Sequence, residues 1–213
     1  THLSRWAEDW IVYASTEFGF LRLDDRYCTS SSMMPQKKNP DTLELIRGKA
    51  ANGTAQLVGL LTLLKGLPLA YNRDLQDDKR FAFSAVRTAE QALAVAAGVV
   101  ATARLREDRI GETLHGGYLD ATSLAEYLTA RGVPFRAAHG IVGRLVARAD
   151  AAGTPLAELP LETLREASDV VGPDVYKHLG AENVVKRYGP DGAGGARQIT
   201  RQLGFWKRKL GED

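Results

Sequence analysis

The sequence predicts an almost wholly α-helical protein, and three observations carry that expectation. Apolar residues recur at helical spacing, as with Leu3, Trp6, Ala7, Trp10, Ile11, Ala14 and Phe18 on one face of Thr1 to Phe18. No stretch sustains the period-two alternation of a half-buried strand. Breaks such as Gly66 to Pro68 and Gly132-Val133-Pro134 fall between the periodic stretches.

Taken in order, the first helix is expected to end near Gly19, where glycine suits a C-terminal cap, with Phe20 to Thr29 an irregular approach to a serine-rich loop. A long helix follows from Asp41 to Leu64, with Leu43, Ile46, Ala50, Leu57, Leu60, Leu61 and Leu64 as its apolar face. Asp41 and Glu44 sit in its first turn, where the helix dipole favours negative charge. Leu69 to Lys79 forms a polar junction, and the alanine- and valine-rich stretch from Phe81 to Arg106 predicts a helix packed on several sides. The glycines between Asp108 and Leu119 mark a boundary, so residues 1–108 form one domain and 109–213 a second, smaller helical one. In the second, Ser123 and Glu126 are spaced as a capping box for a helix through Ala130. Further helices are expected over Phe135 to Ala149, Leu161 to Val171 and Ala196 to Lys209. The glycine-rich run Gly189 to Gly195 lacks a preceding strand and a Gly-Lys-Ser/Thr ending, and reads as a turn rather than a phosphate loop.

With 213 residues, 44% of them hydrophobic, the chain has material for one or two domains with a real core. A formal charge of +2 provides no broad basic face for nucleic acid, so any attraction to anions must be local. One cysteine, Cys28, precludes an intrachain disulfide and suits a reducing, cytoplasmic setting; no histidine lies near it in sequence, and a packed thiol is expected. The longest apolar run, Ala92 to Ala103, is too short to span a bilayer. His2, His115, His139 and His178 lack metal-ligand spacing, and neither a metal nor an organic cofactor is implied. The opening residues start inside an amphipathic pattern, as the later part of a longer protein would.

Two polar stretches interrupt the helices. Ser30 to Pro40 holds three hydroxyls, two lysines, two amides and two prolines, the second of which pre-sets the backbone for the helix that follows. Read from its residues, it is either a carboxylate or phosphate cradle at a helix N-terminus or a solvated turn. Tyr71 to Lys79 mixes a phenol, amides, carboxylates and cations, and by itself reads as solvated charge between helices.

Resemblance sharpens both. Ser31-Ser32-Met33-Met34-Pro35-Gln36-Lys37-Lys38-Asn39-Pro40 resembles the signature of the fumarase/aspartase superfamily, in the form found in argininosuccinate lyases and their delta-crystallin relatives. The Tyr71 to Lys79 run, the Gly66-Leu67-Pro68-Leu69-Ala70-Tyr71 approach and Pro134 to His139 resemble the same family, over essentially the whole chain. Ser30 is a departure, since family members often carry glycine there.

The resemblance implies the later part of a long central helical bundle followed by a small helical C-terminal domain. It also implies reversible anti elimination of argininosuccinate to arginine and fumarate, in a homotetramer whose active sites are shared among subunits. By motif position Ser31 is the base, Lys37 and Asn39 hold the developing aci-carboxylate with Gln36 and Ser32 as further donors, and Tyr71, Gln76 and Lys79 contact substrate. Glu44 matches the glutamate that orients a histidine acid in an earlier segment; a carboxylate serving the helix dipole is its plainer reading. Lys38 is expected as surface charge, and Met33 and Met34 as packing against the bundle. Another lyase of the superfamily, acting on adenylosuccinate, aspartate or malate, and a non-catalytic crystallin-like role are the alternatives.

Overall fold

The computed structural model describes every residue except His115, Glu212 and Asp213, so the expectation for His115 lies outside the described residues. The fold is all-α. Among the described residues the helices are α1 (His2–Ala14), α2 (Asp41–Leu63), α3 (Asp78–Thr102), α4 (Glu107–Leu114), α5 (Ala121–Ala130), α6 (Phe135–Ala152), α7 (Leu161–Ala167), α8 (Ala181–Lys186) and α9 (Ala196–Leu210). Two antiparallel pairs of two-residue strands join them: β1 (Leu21–Arg22) with β4 (Arg104–Leu105), and β2 (Thr29–Ser30) with β3 (Lys38–Asn39). The chain divides into two compact units, Thr1–Ile110 and Gly111–Asp213.

In the first unit α2 and α3 form an antiparallel hairpin, with α1 packed on α2. Ala7, Leu21, Leu23, Leu43, Ile46, Ala92, Ala96 and Val99 make its core, flanked by Trp6 and Trp10. Glycine lets the elements approach closely at two points: a Cβ on Gly59 would overlap the Phe81 ring, and one on Gly98 would overlap the Tyr27 phenol. The core occupies only the half of the hairpin that α1 covers. Toward the other end Leu57, Leu61, Leu64, Phe83 and Val86 are exposed, against the expectation that the leucines of α2 line a core. Both helices are apolar around much of their circumference, which suits burial on more sides than one unit supplies.

Several boundaries differ from the sequence reading. The first helix stops at Ala14, because Ser15 turns to extended backbone (φ −63°, ψ 159°). Gly19, in the left-handed region, instead turns the following loop back, and the Phe20 N–H donates to the Tyr13 carbonyl at 2.8 Å. The Ser123/Glu126 capping box does not form: α5 begins at Ala121 with Asp120 at its N-cap, and Ser123 is buried inside the helix. Asp120 is used elsewhere, its carboxylate accepting the Gly180 N–H at 2.8 Å. The helix from Leu161 ends at Ala167, where Ser168 is extended.

The second unit is built on α5 and α6. Leu124, Leu128, Val142, Leu145 and Ala149 bury against Leu164 of α7 and Leu156, Val175 and Leu179 from the segments around it. Tyr127, almost fully buried, ties this core to the Gly172–His178 segment. Its hydroxyl accepts the Gly172 N–H at 2.9 Å and donates to Asp174 at 3.0 Å, while the Arg131 guanidinium stacks 3.7 Å from its ring and pairs with Asp174. His178 meets the same ring edge-on, 4.7 Å between centroids. Burial, with Arg187 and Arg131 nearby, pushes the His178 imidazole below its usual pKa of 6.5, Asp174 opposing.

A histidine held neutral by the fold contributes stability that is complete above the unfolded pKa, near 6.5, and is lost as pH falls through the lowered folded value. The urea midpoint of the chain should therefore fall between pH 7.5 and 5.5, and His178→Gln should reduce that fall. An unchanged pH dependence in the variant would contradict the assignment.

Candidate active site

The signature run folds as a tight hairpin whose base is pinned and whose tip is exposed. Thr29 pairs with Asn39 and Ser30 with Lys38, and Pro35 sets a turn in which the Lys37 N–H donates to the Met34 carbonyl at 3.0 Å. At the base, the Thr42 hydroxyl donates to the Tyr27 carbonyl at 2.7 Å and the Tyr27 ring lies against Gly98 of α3. Asp24 caps the short 3-10 turn Asp25–Tyr27 by accepting the Arg26 N–H at 2.9 Å. Its side-chain bond to the Arg26 guanidinium then holds the carboxyl pKa at about 2. Lys38 pairs with Asp25, both largely exposed.

The Ser31 hydroxyl oxygen accepts two backbone N–H groups, from Met33 at 3.2 Å and Met34 at 3.1 Å. Two dipoles aimed at one oxygen favour negative charge on it, the condition a serine base requires. Ser32, Gln36 and Lys37 are exposed around it, and Asn39 is half-buried in β3. Met33 is 85% exposed and Met34 40%, so they do not pack the loop against the bundle as the sequence reading expects; the hairpin holds the tip away from the helices. Cys28 is partly covered and its thiol is pushed up by burial first, with Asp25, Asp41 and Asp24 adding to the effect and Lys38 opposing it, which suits a packed thiol rather than a nucleophile.

α2 begins at the foot of the hairpin, with the Pro40 carbonyl accepting the N–H groups of Leu43 and Glu44 at 2.9 and 3.0 Å. Glu44 is exposed one turn in. Asp41 carries a signal that sequence reasoning missed: its Oδ1 is buried without a hydrogen-bond partner. A lone carboxylate oxygen in that state is costly unless something else meets it. A helix dipole favours any first-turn carboxylate, so residue type and position alone do not reveal this burial.

Tyr71, Gln76 and Lys79 are exposed at the other end of the hairpin. Asn72 organises the turn by donating to the Pro68 and Ala70 carbonyls, both at 2.9 Å, and Arg73–Asp77 forms a 3-10 turn leading into α3, where Lys79 pairs with Asp78 at 2.8 Å. The 23 residues of α2 separate this junction from the serine loop by about 34 Å at 1.5 Å per residue. The structure thus gathers Ser31, Ser32, Gln36, Lys37, Asn39 and Glu44 at one end and Tyr71, Gln76 and Lys79 at the other, and does not bring the two groups together within one chain. No group of His, Cys, Asp and Glu arranged to hold a metal occurs among the described residues. No helix among them is long and apolar enough to cross a membrane.

The arrangement of helices matches an EDDS lyase variant with bound fumarate, 26% identical with a TM-score of 0.76 over 99% of this chain and 44% of that one. It also matches a class II fumarase from Schistosoma mansoni in fold, 16% identical with a TM-score of 0.62 over 84% of this chain and 35% of that one. The fold is that of the fumarase-type lyases. Residues 118–186 match the argininosuccinate lyase C-terminal family and residues 1–53 the lyase family. The chloroplastic argininosuccinate lyase of Arabidopsis thaliana is 47% identical over 98% of this chain and 40% of its own length, and that of Roseiflexus sp. (strain RS-1) 51% identical over 100% and 46%. The chain is similar to the C-terminal portion of argininosuccinate lyases and spans under half the length of these relatives.

The pinning of the hairpin base is testable. Gly98→Val should push Tyr27 off α3, lower the thermal midpoint and loosen the loop by raising amide exchange at Met33 and Met34. Unchanged exchange at these two amides would show that the tip is independent of its base.

Proposed function

We propose that this chain is the portion of an argininosuccinate lyase that carries the serine loop, and that the complete enzyme cleaves argininosuccinate to arginine and fumarate by anti elimination. The observation that supports it most is the double donation of backbone N–H to the Ser31 oxygen within the family signature. In this reading Ser31 takes the proton next to a carboxylate, and the aci-carboxylate left behind is held by Lys37 and Asn39 with Gln36 and Ser32 as further donors. Closure of the exposed tip over substrate would exclude water and strengthen each of these effects. Glu44 orients a histidine acid supplied by a segment upstream of the residues present here.

Tyr71, Gln76 and Lys79 serve the same reaction from a different copy of the chain. The separation along α2 favours this, and so do the exposed Leu57, Leu61, Phe83 and Val86, which suit a bundle of such hairpins in a homotetramer. The solved EDDS lyase with fumarate carries methionine in place of an aspartate and a tyrosine thirty positions apart. An aspartate followed by a tyrosine at that spacing occurs here only as Asp41 and Tyr71. That shared spacing supports reading Asp41 and Tyr71 as the counterparts of those two positions. A cytoplasmic location remains part of the proposal, although the Arabidopsis relative is named as chloroplastic.

In the full-length enzyme that this reading requires, Ser31→Ala should reduce kcat by at least about a hundredfold with KM little changed, since a base acts in the transition state. Lys79→Ala should raise KM. Turnover of malate, aspartate or adenylosuccinate in place of argininosuccinate would overturn the assignment. The 213-residue chain alone should release no fumarate above a Ser31→Ala control. Release above that control would contradict the need for an upstream acid.

A further inference from the structure

The hairpin has two faces, and the proposed chemistry uses one. Successive side chains of a strand point to opposite sides, so Lys38 and Asn39 of β3 face opposite ways, with Ser30 sharing the Lys38 side. Behind the hairpin on the side of Lys38 lies a cavity of about 530 Å³, lined among others by Ser15, Thr16, Arg22, Cys28, Lys38 and Arg106. None of Ser31, Lys37 and Asn39 lines it.

The charges around this cavity are unbalanced toward positive. Its lining includes three cations and no carboxylate. Arg22 and Arg106 have no ion pair among the described residues, and Lys38 has only Asp25, on a partly exposed bond. Of the other acids nearby, Asp24 is committed to Arg26 at 3.0 Å and with Asp25 borders Arg22 on the far side, Asp41 lies at the foot of α2, and Glu17 and Glu107, next in sequence to Thr16 and Arg106, do not line the cavity. The carbonyls at the end of α1, which would repel an anion, are engaged: Tyr13 accepts the Phe20 N–H, Ser15 the Gly19 N–H, and Glu17 and Phe18 the Arg109 guanidinium. The Arg106 guanidinium lies close over Gly19, where a Cβ would come within 3.3 Å of it, so the loop's turn leaves space for that group at the cavity wall.

We propose that this cavity is a second anion site, separate from the catalytic face, for a small oxyanion of the dicarboxylate or phosphate class. Arg22 and Arg106 supply the fork-shaped donors that match carboxylate and phosphate oxygens, Ser15 and Thr16 supply hydroxyls, and Lys38 swings from Asp25 to the bound anion. Because Lys38 is part of the two-residue ladder that closes the hairpin, occupancy of the cavity is linked to the order of the loop that carries Ser31. The proposal does not depend on which reaction the family signature serves.

The test is calorimetric titration of the 213-residue chain at low ionic strength with succinate and, separately, with inorganic phosphate. Saturable one-to-one binding of either anion is expected, weakened about tenfold or more by Arg106→Ala, equivalent to about 1.4 kcal/mol. Binding of succinate alone would identify a dicarboxylate site, of phosphate alone a phosphate site, and of both a general oxyanion site. Absence of saturable binding of both anions, or full retention of binding in Arg106→Ala, would overturn the proposal. Should Arg106→Ala unfold at the assay temperature, Arg22→Ala gives the same reading, with retained binding again the contrary result.

Discussion

The rigidity of one helix governs this structure. α2 runs unbroken for 23 residues and α3 returns beside it, so the two polar segments that flank α2 are held at opposite ends of a stiff rod. No loop motion of ordinary size closes a gap of about 34 Å. In the proposed reaction the two segments would therefore come from different copies of the chain. The apolar exterior of the rod suits that arrangement: leucines and valines at the junction end of α2 and α3 remain exposed within one chain, while Gly59 lets the Phe81 ring of α3 lie close against α2.

At the serine end, stiffness and freedom are divided over a few residues. Tyr27 on Gly98, Thr42 on the Tyr27 carbonyl and the Asp24-capped turn fix the base of the hairpin. The tip between Ser31 and Lys37 rests on backbone hydrogen bonds and one proline turn, with Met33 standing in solvent. A base that must reach a substrate and exclude water benefits from such a hinge between anchored strands. The Ser31 hydroxyl accepts two N–H groups, so in the proposed reaction closure of the tip would have only to complete its surroundings.

Much of this was legible in the sequence, and the parts that were not share a cause. The long helices, the signature loop and the polar junction are written in periodicity and in local residue type. Leu57 and Leu61 stand at helical spacing yet are exposed, because periodicity marks an apolar face without showing what covers it. Ser123 and Glu126 have the spacing of a cap, yet Ser123 is buried in mid-helix: the start of α5 is set by Asp120, whose carboxylate reaches Gly180 sixty residues away. Short elements such as α4 and α8 carry too few turns for periodicity to register. The unpartnered oxygen of Asp41 and the cavity behind Lys38 depend on atomic placement, which residue type does not encode.

The most direct test of a site divided between copies is complementation in the full-length enzyme. Ser31→Ala removes the function of one end of the rod and Lys79→Ala that of the other. Co-expressed, the two inactive or weakened variants should form mixed assemblies that recover argininosuccinate turnover at low substrate, because some sites then combine an intact loop with an intact junction. Turnover in the mixed assemblies no higher than the average of the two parents would contradict the account.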